Sequence, residues 1–355
     1  MKTIPGRTGR LLRHTRARSI SWLTENLSPG VGRYNRPQAV VCLLTERCSS
    51  KCVHCDIWRN RGVERGPGFD DWCRLMDEIR QWLGPVDVVL TGGEALLKPF
   101  TVDLAGYASS IGLRVEVLTH GYWKDQDLIG RLALSRPRRV TLSLDGIGEL
   151  HDAVRGRPGF FERTSASIET LLRMRRERDL HYEVLLKTVI MSANLHGLDD
   201  VARYATEHGV DVLYQPIEQN YGEPDNPEWI AESANWPTDA AAAVAAVERL
   251  VELKRGGARI VNSERDLDRI AAYFRDPDRY RVRIQNHDFS GRCSALGLIQ
   301  VQANGDVMVC FSAPPIGNFL EAPIRRLWGE RPALWQDGCC MKRRMSAAEW
   351  RDTHP

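Results

Sequence analysis

Short apolar runs alternate with helix-like segments from residue 38 onward, and this alternation constrains the fold more than any other feature. The predicted strands cover residues 39–44, 86–91, 114–119, 139–144, 183–191 and 210–217. The helix-like patterns between them cover residues 70–83, 102–111, 125–134, 160–178 and 198–208. Such alternation is typical of parallel sheets with crossover helices. Six strands fall short of a closed eight-stranded barrel, so we expect a partial (β/α)6 TIM-like barrel of the α/β class.

The length of the chain leaves room for more than this barrel. Its 355 residues suit one α/β unit of roughly 200 residues plus an appended module. We expect a basic lead-in at 1–36, the barrel at 37–218, a loop and helical connector at 219–290, and a C-terminal module at 291–355. Within that module, Asn304-Gly305-Asp306 separates two short apolar runs, which predicts a hairpin. The arginine-rich lead-in either packs on the barrel or lies on an anionic surface.

The overall charge is nearly balanced. There are 49 basic and 46 acidic residues, a net charge of +3, so no global field favours nucleic acid as a partner. No stretch approaches the roughly 18 to 20 apolar residues of a membrane span, and no signal-peptide pattern is present. We therefore expect a cytoplasmic protein.

Three cysteines lie within eight residues, in the sequence TERCSSKCVHCDIW that begins at Thr45. They are Cys48, Cys52 and Cys55, three of nine cysteines in the chain, and the odd total favours metal ligation over a disulfide framework. A structural zinc site usually takes four ligands in two separated pairs. An iron–sulfur cluster with three protein ligands instead leaves one iron open to bind a reactant. A structural metal site, or cysteines without a metal, are the alternatives.

Further motifs follow the next three predicted strands. Gly-Gly-Glu stands at residues 92–94, Leu-Thr-His-Gly at 118–121 and Leu-Ser-Leu-Asp-Gly at 142–146. With the CxxxCxxC motif, they resemble the radical S-adenosylmethionine (radical SAM) enzymes. The resemblance implies a [4Fe-4S] cluster on the three cysteines, with S-adenosylmethionine (SAM) chelated to the open iron. It also implies reductive cleavage of SAM to a 5′-deoxyadenosyl radical that abstracts a hydrogen atom from the substrate.

The same resemblance implies roles for individual residues around SAM. The turn at 92–94 would hold the methionine amine, Ser143 and Arg155 its carboxylate or ribose, and His54 would lie near the adenine. The residues expected to bind the cofactor are therefore His54, Gly92, Gly93, Glu94, Ser143, Asp145 and Arg155. His120 departs from the family, which commonly has asparagine there. It either touches substrate or is structural, and the candidate substrate residues at the barrel mouth are His120, Tyr214, Gln215 and Glu218.

The C-terminal module resembles the SPASM and twitch extensions, which hold an auxiliary iron–sulfur cluster. Cys293, Gly305 and Cys310 match the opening of that pattern, and the adjacent Cys339 and Cys340 end it. Because neighbouring side chains diverge, both can ligate one cluster only around a bent backbone. One of the pair would leave an iron open to substrate, whereas both would close the cluster. A module that has lost its cluster is the third alternative.

The sequence thus predicts an oxidoreductase of the radical SAM class that passes an electron to its auxiliary cluster. We expect a small polar or sugar-like natural-product intermediate as substrate, because the N-terminus has no room for a peptide-recognition domain of roughly 80 residues. A flavodoxin- or ferredoxin-like protein would donate electrons. One alternative is a maturase of a ribosomally made peptide. A second is a non-catalytic iron–sulfur or zinc scaffold, which would bind metal without cleaving SAM.

Overall fold

The computed structural model describes residues 36–59, 66–219, 228–277, 297–309 and 314–334. The predicted lead-in lies almost wholly outside the described residues, and so do Cys293, Cys310, Cys339 and Cys340. The described residues form one sheet of nine strands, in the order β6-β5-β4-β3-β2-β1-β7-β8-β9. The strands are β1 (Ala39–Leu43), β2 (Asp87–Thr91), β3 (Arg114–Thr119), β4 (Arg139–Ser143), β5 (Glu183–Ile190), β6 (Asp211–Pro216), β7 (Leu298–Val301), β8 (Asp306–Met308) and β9 (Gly317–Asn318).

Helices connect the parallel strands β1 to β6, as the sequence pattern predicts. In the described part of the chain, the helices between these strands are α1 (Phe69–Leu83), α2 (Thr101–Ser110), α3 (Gln126–Leu134), α4 (Glu149–Arg155), α5 (Phe160–Glu177) and α6 (Leu198–Glu207). Three more helices lie between β6 and β7, namely α7 (Trp229–Glu232), α8 (Ala240–Arg255) and α9 (Glu264–Arg275), and α10 (Ile324–Leu334) follows β9. None of the helices in the described ranges is long and apolar enough to cross a membrane.

The two faces of the sheet differ in chemistry. Alternate residues such as Val88, Val115 and Val140 are fully buried against the helices. Their neighbours along each strand point to the opposite face, the barrel interior, because successive side chains alternate. There the amino-terminal ends of the strands carry charged residues. The interior face is therefore charged at that end of the strands, while the core lies between the sheet and its helices.

The barrel is open, which confirms the predicted partial barrel. β6 lies at one edge of the sheet, and the predicted C-terminal hairpin is also present, as the antiparallel pair β7 and β8. Gly305 adopts a φ of 95° in its turn, in the left-handed region that glycine reaches without strain. The parallel pairing of β7 with β1 is not predicted from the sequence pattern. The strand that leads into the three cysteines is therefore flanked by β2 on one side and by the distant β7 on the other.

The residues that follow β8 pack on α1. The Trp72 and Phe319 rings lie 5.3 Å apart between centroids, and those of Trp82 and Trp328 lie 6.4 Å apart. The Glu78 carboxylate accepts a hydrogen bond from the Ile324 backbone N–H at 3.0 Å, at the start of α10. An α-helix leaves its first N–H groups without backbone partners, so this carboxylate stabilises the beginning of α10.

Candidate active site

The three cysteines lie in the loop after β1, which we call the cysteine loop (residues 44–56). A tight turn joins two of them, because the Cys55 N–H donates to the Cys52 carbonyl at 3.3 Å. Ser50 contacts both Cys48 and Cys52. Its backbone N–H donates to Cys48 Sγ at 3.4 Å, and its hydroxyl lies 2.9 Å from Cys52 Sγ. All three cysteines are free thiols in one short loop.

Burial makes the thiols of Cys48 and Cys55 costly to ionise on their own. The pKa of Cys48 is raised to about 12, chiefly by burial and also by the charges of Glu94, Cys52 and Cys55, against one backbone hydrogen bond from Ser50. Burial likewise raises the pKa of Cys55. Metal ligation requires thiolates, and a bound cation supplies the charge that stabilises them. The loop therefore suits a metal group better than isolated nucleophilic cysteines.

Arg155, the last residue of α4, brings a buried positive charge to this loop. One guanidinium nitrogen lies 3.4 Å from Cys52 Sγ and the other 2.5 Å from Asp145 Oδ2. Burial opposes the charge, but Asp145 and Cys52 outweigh that effect and raise the pKa of Arg155. The end of α4 also holds the loop backbone, since Val154 and Arg155 accept hydrogen bonds from Val53 and Lys51.

The Gly-Gly-Glu turn after β2 packs directly on the cysteine loop. The Gly93 N–H donates to the Thr45 carbonyl at 2.7 Å, and the Glu94 N–H donates to the Arg47 carbonyl at 2.9 Å. A Cβ atom at Gly93 would lie 2.4 Å from the Arg47 oxygen, and one at Gly92 2.3 Å from the Thr45 oxygen. These glycines are thus required by the approach of two loops.

Glu94 and His120 form the next part of the site. Glu94 is buried, and its carboxylate accepts backbone N–H groups of Leu96 at 3.1 Å and of His120 at 2.7 Å. His120 Nδ1 accepts the Tyr122 N–H at 3.0 Å, which leaves Nε2 to face Ser49 Oγ at 3.0 Å. Burial lowers the pKa of His120 against the charge of Glu94, so the ring is neutral. His120 links the ends of β2 and β3 to the cysteine loop.

Asp145 and His151 anchor the end of β4. The Asp145 carboxylate pairs with Arg155 and accepts the Val189 N–H at 2.9 Å, and its own N–H donates to His151 Nδ1 at 3.0 Å. Asp145 therefore orients Arg155. Ser143, two residues earlier, is half-buried on the face that lines the barrel interior.

His54 lies half-buried beside these charges. Its pKa is lowered to about 4, chiefly by burial and also by Arg155 and Lys187, against the charge of Asp145. Its Nδ1 atom is buried and has no hydrogen-bond partner among the described residues. A neutral ring with an unused nitrogen is suited to face a ligand.

One predicted substrate residue is wrong. Tyr214 is only 1% exposed, and its hydroxyl donates to the Leu198 carbonyl at 2.7 Å. The alternation along β6 turns this side chain outward onto α6, away from the barrel mouth. Gln215 points to the other face and is exposed, as is Glu218 after the strand.

One contributor to the site, and one charge that lies beside it, were missed from the sequence. Ser50 contacts both Cys48 and Cys52, and Lys187 lies on the interior face of β5 beside Ser143. A serine between cysteines has no distinctive pattern. Lys187 does have one, since it is a lone charge inside the apolar run 184–190.

No three histidine, cysteine or carboxylate side chains within the described ranges converge on one metal ion. The three thiols stand along one loop at the carboxyl end of β1, with Arg155 and the Gly-Gly-Glu turn against it. Residues 42–205, which include this loop and most of the open parallel α/β barrel, match the Radical SAM superfamily. The matched residues form a radical SAM domain.

Relatives with assigned names cover most of the chain. The AdoMet-dependent heme synthase of Methanosarcina barkeri is 27% identical over 313 residues, 83% of this chain and 82% of that protein. The pre-heme d1 synthase of Dinoroseobacter shibae is 25% identical over 321 residues, 86% and 77% of the two chains.

A solved structure shares the fold. SuiB of Streptococcus suis, crystallised with S-adenosylmethionine, gives a TM-score of 0.65 at 14% identity and covers 96% of this chain and 75% of its own. SuiB has also been crystallised with its precursor peptide SuiA. At this identity the likeness shows the fold alone.

The family implies a [4Fe-4S] cluster and SAM, and the residues present fit both. Three thiols of one loop lie beside a buried guanidinium and a backbone N–H that donates to sulfur. Buried nitrogens of His54 and Arg155 have no partner among the described residues, so polar atoms are available to a ligand.

Proposed function

We propose that the protein holds a [4Fe-4S] cluster on Cys48, Cys52 and Cys55 and uses it with SAM to remove a hydrogen atom from a small polar substrate. One observation carries this proposal: three free thiols share a loop that Arg155 and the Gly-Gly-Glu turn hold in place. When bound, the two cofactors supply one-electron cleavage of SAM and, through it, an oxidant able to break a C–H bond.

The residues around the loop divide the binding of SAM between them. Glu94 offers a buried carboxylate to an ammonium group, and the backbone donors from Leu96 and His120 fix its position. Ser143 and Arg155 offer a hydroxyl and a guanidinium to a carboxylate or ribose. His54 presents a neutral flat ring to the adenine. Asp145 acts through Arg155 and is a positioning residue.

An auxiliary iron–sulfur cluster on Cys293, Cys310 and one or both of Cys339 and Cys340 would take up the second electron of the substrate. These four cysteines lie outside the described residues, so their arrangement rests on the sequence pattern. With that cluster the net reaction is a two-electron oxidation, with a flavodoxin- or ferredoxin-like protein donating to the first cluster.

A small molecule is favoured as substrate over a peptide. Both near-full-length relatives are named for heme or pre-heme d1, which are small molecules. A ribosomally made peptide is the second candidate, because SuiB, which shares the fold, has been crystallised with a precursor peptide.

The test is anaerobic reconstitution followed by iron analysis and incubation with dithionite and SAM. We expect 5′-deoxyadenosine from the wild type, and none from a variant with alanine at Cys48, Cys52 and Cys55. Cys73→Ala is the matched control, since Cys73 is a half-buried cysteine on α1, and should keep the activity.

The iron content separates the remaining alternatives. About eight irons per chain indicate two cubic clusters, and about four leave no auxiliary cluster. Bound metal without 5′-deoxyadenosine would contradict the enzymatic proposal and favour a scaffold.

A further inference from the structure

Lys187 occupies the interior of the barrel next to the proposed SAM site. In the parallel sheet it is in register with Ser143, the last residue of β4, and with Leu213 of β6. Paired residues of neighbouring strands share a face, so all three side chains line the barrel interior. Leu186 and Thr188, its neighbours along β5, are fully buried on the opposite face.

Other charges on the interior face are paired with one another. At the amino-terminal ends of the strands, Arg139 lies 2.6 Å from Glu183 and 3.6 Å from Glu116, and Arg114 lies 2.9 Å from Asp87. Lys187, by contrast, makes no side-chain hydrogen bond or ion pair with any residue in the described ranges.

The acids around Lys187 lie beyond ion-pair distance. Asp145 pairs with Arg155, and Glu116 pairs with Arg139. Burial lowers the pKa of Lys187, and Arg155 lowers it too, while the charges of Glu116, Asp145 and Glu218 oppose the shift. A half-buried ammonium without an ion pair costs stability. The charges at the amino-terminal ends of the strands are paired and do not carry this cost, whereas Lys187, beside Ser143, does.

We propose that Lys187 binds an anionic group of the substrate, a carboxylate or a phosphate, at the mouth of the barrel. This inference rests on the proposed function and narrows its substrate class to anionic molecules. The ammonium supplies a point charge with three donors, which suits either group. It would fix the end of the substrate that carries the anion, and so select which C–H bond faces the cofactors.

Stability distinguishes a ligand-binding lysine from a structural one. Methionine has a similar volume and no charge, so Lys187→Met should raise the melting temperature of the ligand-free chain by about 2–4 °C. Arg139→Met is the matched control, because it breaks a paired charge on the same face and should lower the melting temperature. A lower melting temperature for Lys187→Met would overturn the proposal.

Measuring SAM binding shows whether Lys187 binds the substrate or the cofactor. In reconstituted enzyme, Lys187→Met should bind SAM with wild-type affinity, measured by equilibrium dialysis, and should still form 5′-deoxyadenosine with dithionite. Loss of SAM binding would assign the lysine to the cofactor and overturn the substrate role. Absence of 5′-deoxyadenosine from both wild type and variant would contradict the proposed function instead, which keeps the two failures distinct.

Trace reductive methylation tests anion binding directly. The full chain, reconstituted and loaded with SAM, is labelled in chloride, succinate or phosphate at equal ionic strength, and each of its seven lysines is quantified by peptide mass spectrometry. We expect methylation of Lys187 to slow at least threefold in succinate or phosphate, with Lys98 and Lys124 unchanged. The anion that protects identifies the group. Equal rates at Lys187 in all three salts, or equal slowing at every lysine, would overturn the proposal.

Discussion

Arg155 sets the charge of the candidate site at the scale of single residues. Its guanidinium contacts Cys52 on one side and Asp145 on the other, and its Nε has no partner among the described residues. The guanidinium thus joins the cysteine loop to the end of β4. Residues more than 100 positions apart therefore act together, which no local pattern in the sequence reveals.

His151, behind Asp145, should make the fold sensitive to acid. Its pKa is lowered to about 3, chiefly by burial and also by Arg155, against the charges of Asp145 and Asp152. Below about pH 6.5 the unfolded chain binds a proton that the folded chain does not, so stability falls as the pH decreases. Between pH 7.5 and 5.5 this costs about 1.4 kcal/mol.

The variant His151→Asn keeps an acceptor for the Asp145 N–H and removes the titration. Urea unfolding at the two pH values should show that it loses about 1.4 kcal/mol less stability than wild type. His181→Asn, at an exposed position, serves as the control and should follow wild type. Equal acid loss in all three proteins would contradict the assignment.

At the scale of elements, the loops after β1 and β2 form one unit. Gly93 allows this, because a Cβ atom there would meet the carbonyl oxygens of Arg47 and Glu46 at 2.4 and 2.6 Å. Backbone atoms cannot move aside as a flexible side chain can. The position of the cysteines is therefore set by a turn that contains none of them.

Gly93→Ala should push the two loops apart. We expect about 1–3 kcal/mol lower stability and a reduced iron content after reconstitution. Gly130→Ala is the control, since Gly130 lies in α3 with no atom within 4 Å of the added carbon, and it should gain about 0.5–1 kcal/mol. Thermal unfolding and iron analysis of both variants decide the outcome.

Strong periodicity made much of the fold predictable. The six barrel strands begin and end within a few residues of the predicted positions, because buried apolar runs bounded by loops are unambiguous. α4 was missed, since seven residues between Gly148 and Gly156 are too short for a clear helical period. The outward turn of Tyr214 was missed because it depends on which face of β6 the helices cover. The family resemblance was enough to predict which motifs would lie near one another. Contacts such as that of Ser50 with Cys52 depend on the folded backbone and could not be predicted.

At the scale of the whole molecule, the C-terminal strands belong to the barrel sheet. β7 pairs with β1, and the segment after β8 packs its aromatic rings on α1. The described parts of the predicted module are therefore not a separate unit joined by a linker. We expect the barrel and this segment to unfold together as one cooperative unit.

Phe319→Ala tests that sharing. Removing a ring that is 9% exposed and contacts Trp72 should cost about 3–5 kcal/mol. Leu320→Ala, at the neighbouring position with 45% exposure, should change stability by less than about 0.5 kcal/mol. Hydrogen exchange should show lost protection in β1 as well as β7 for Phe319→Ala; loss confined to the C-terminal segment would contradict a shared unit.

The pairing of β7 with β1 also sets an order of events during synthesis. β1 is the first strand of the described residues, yet its second neighbour begins only at residue 298. Until then one side of β1 exposes unpaired backbone groups next to three free thiols. The nascent chain therefore depends on a segment translated long after the cysteines to cover this edge beside the candidate site.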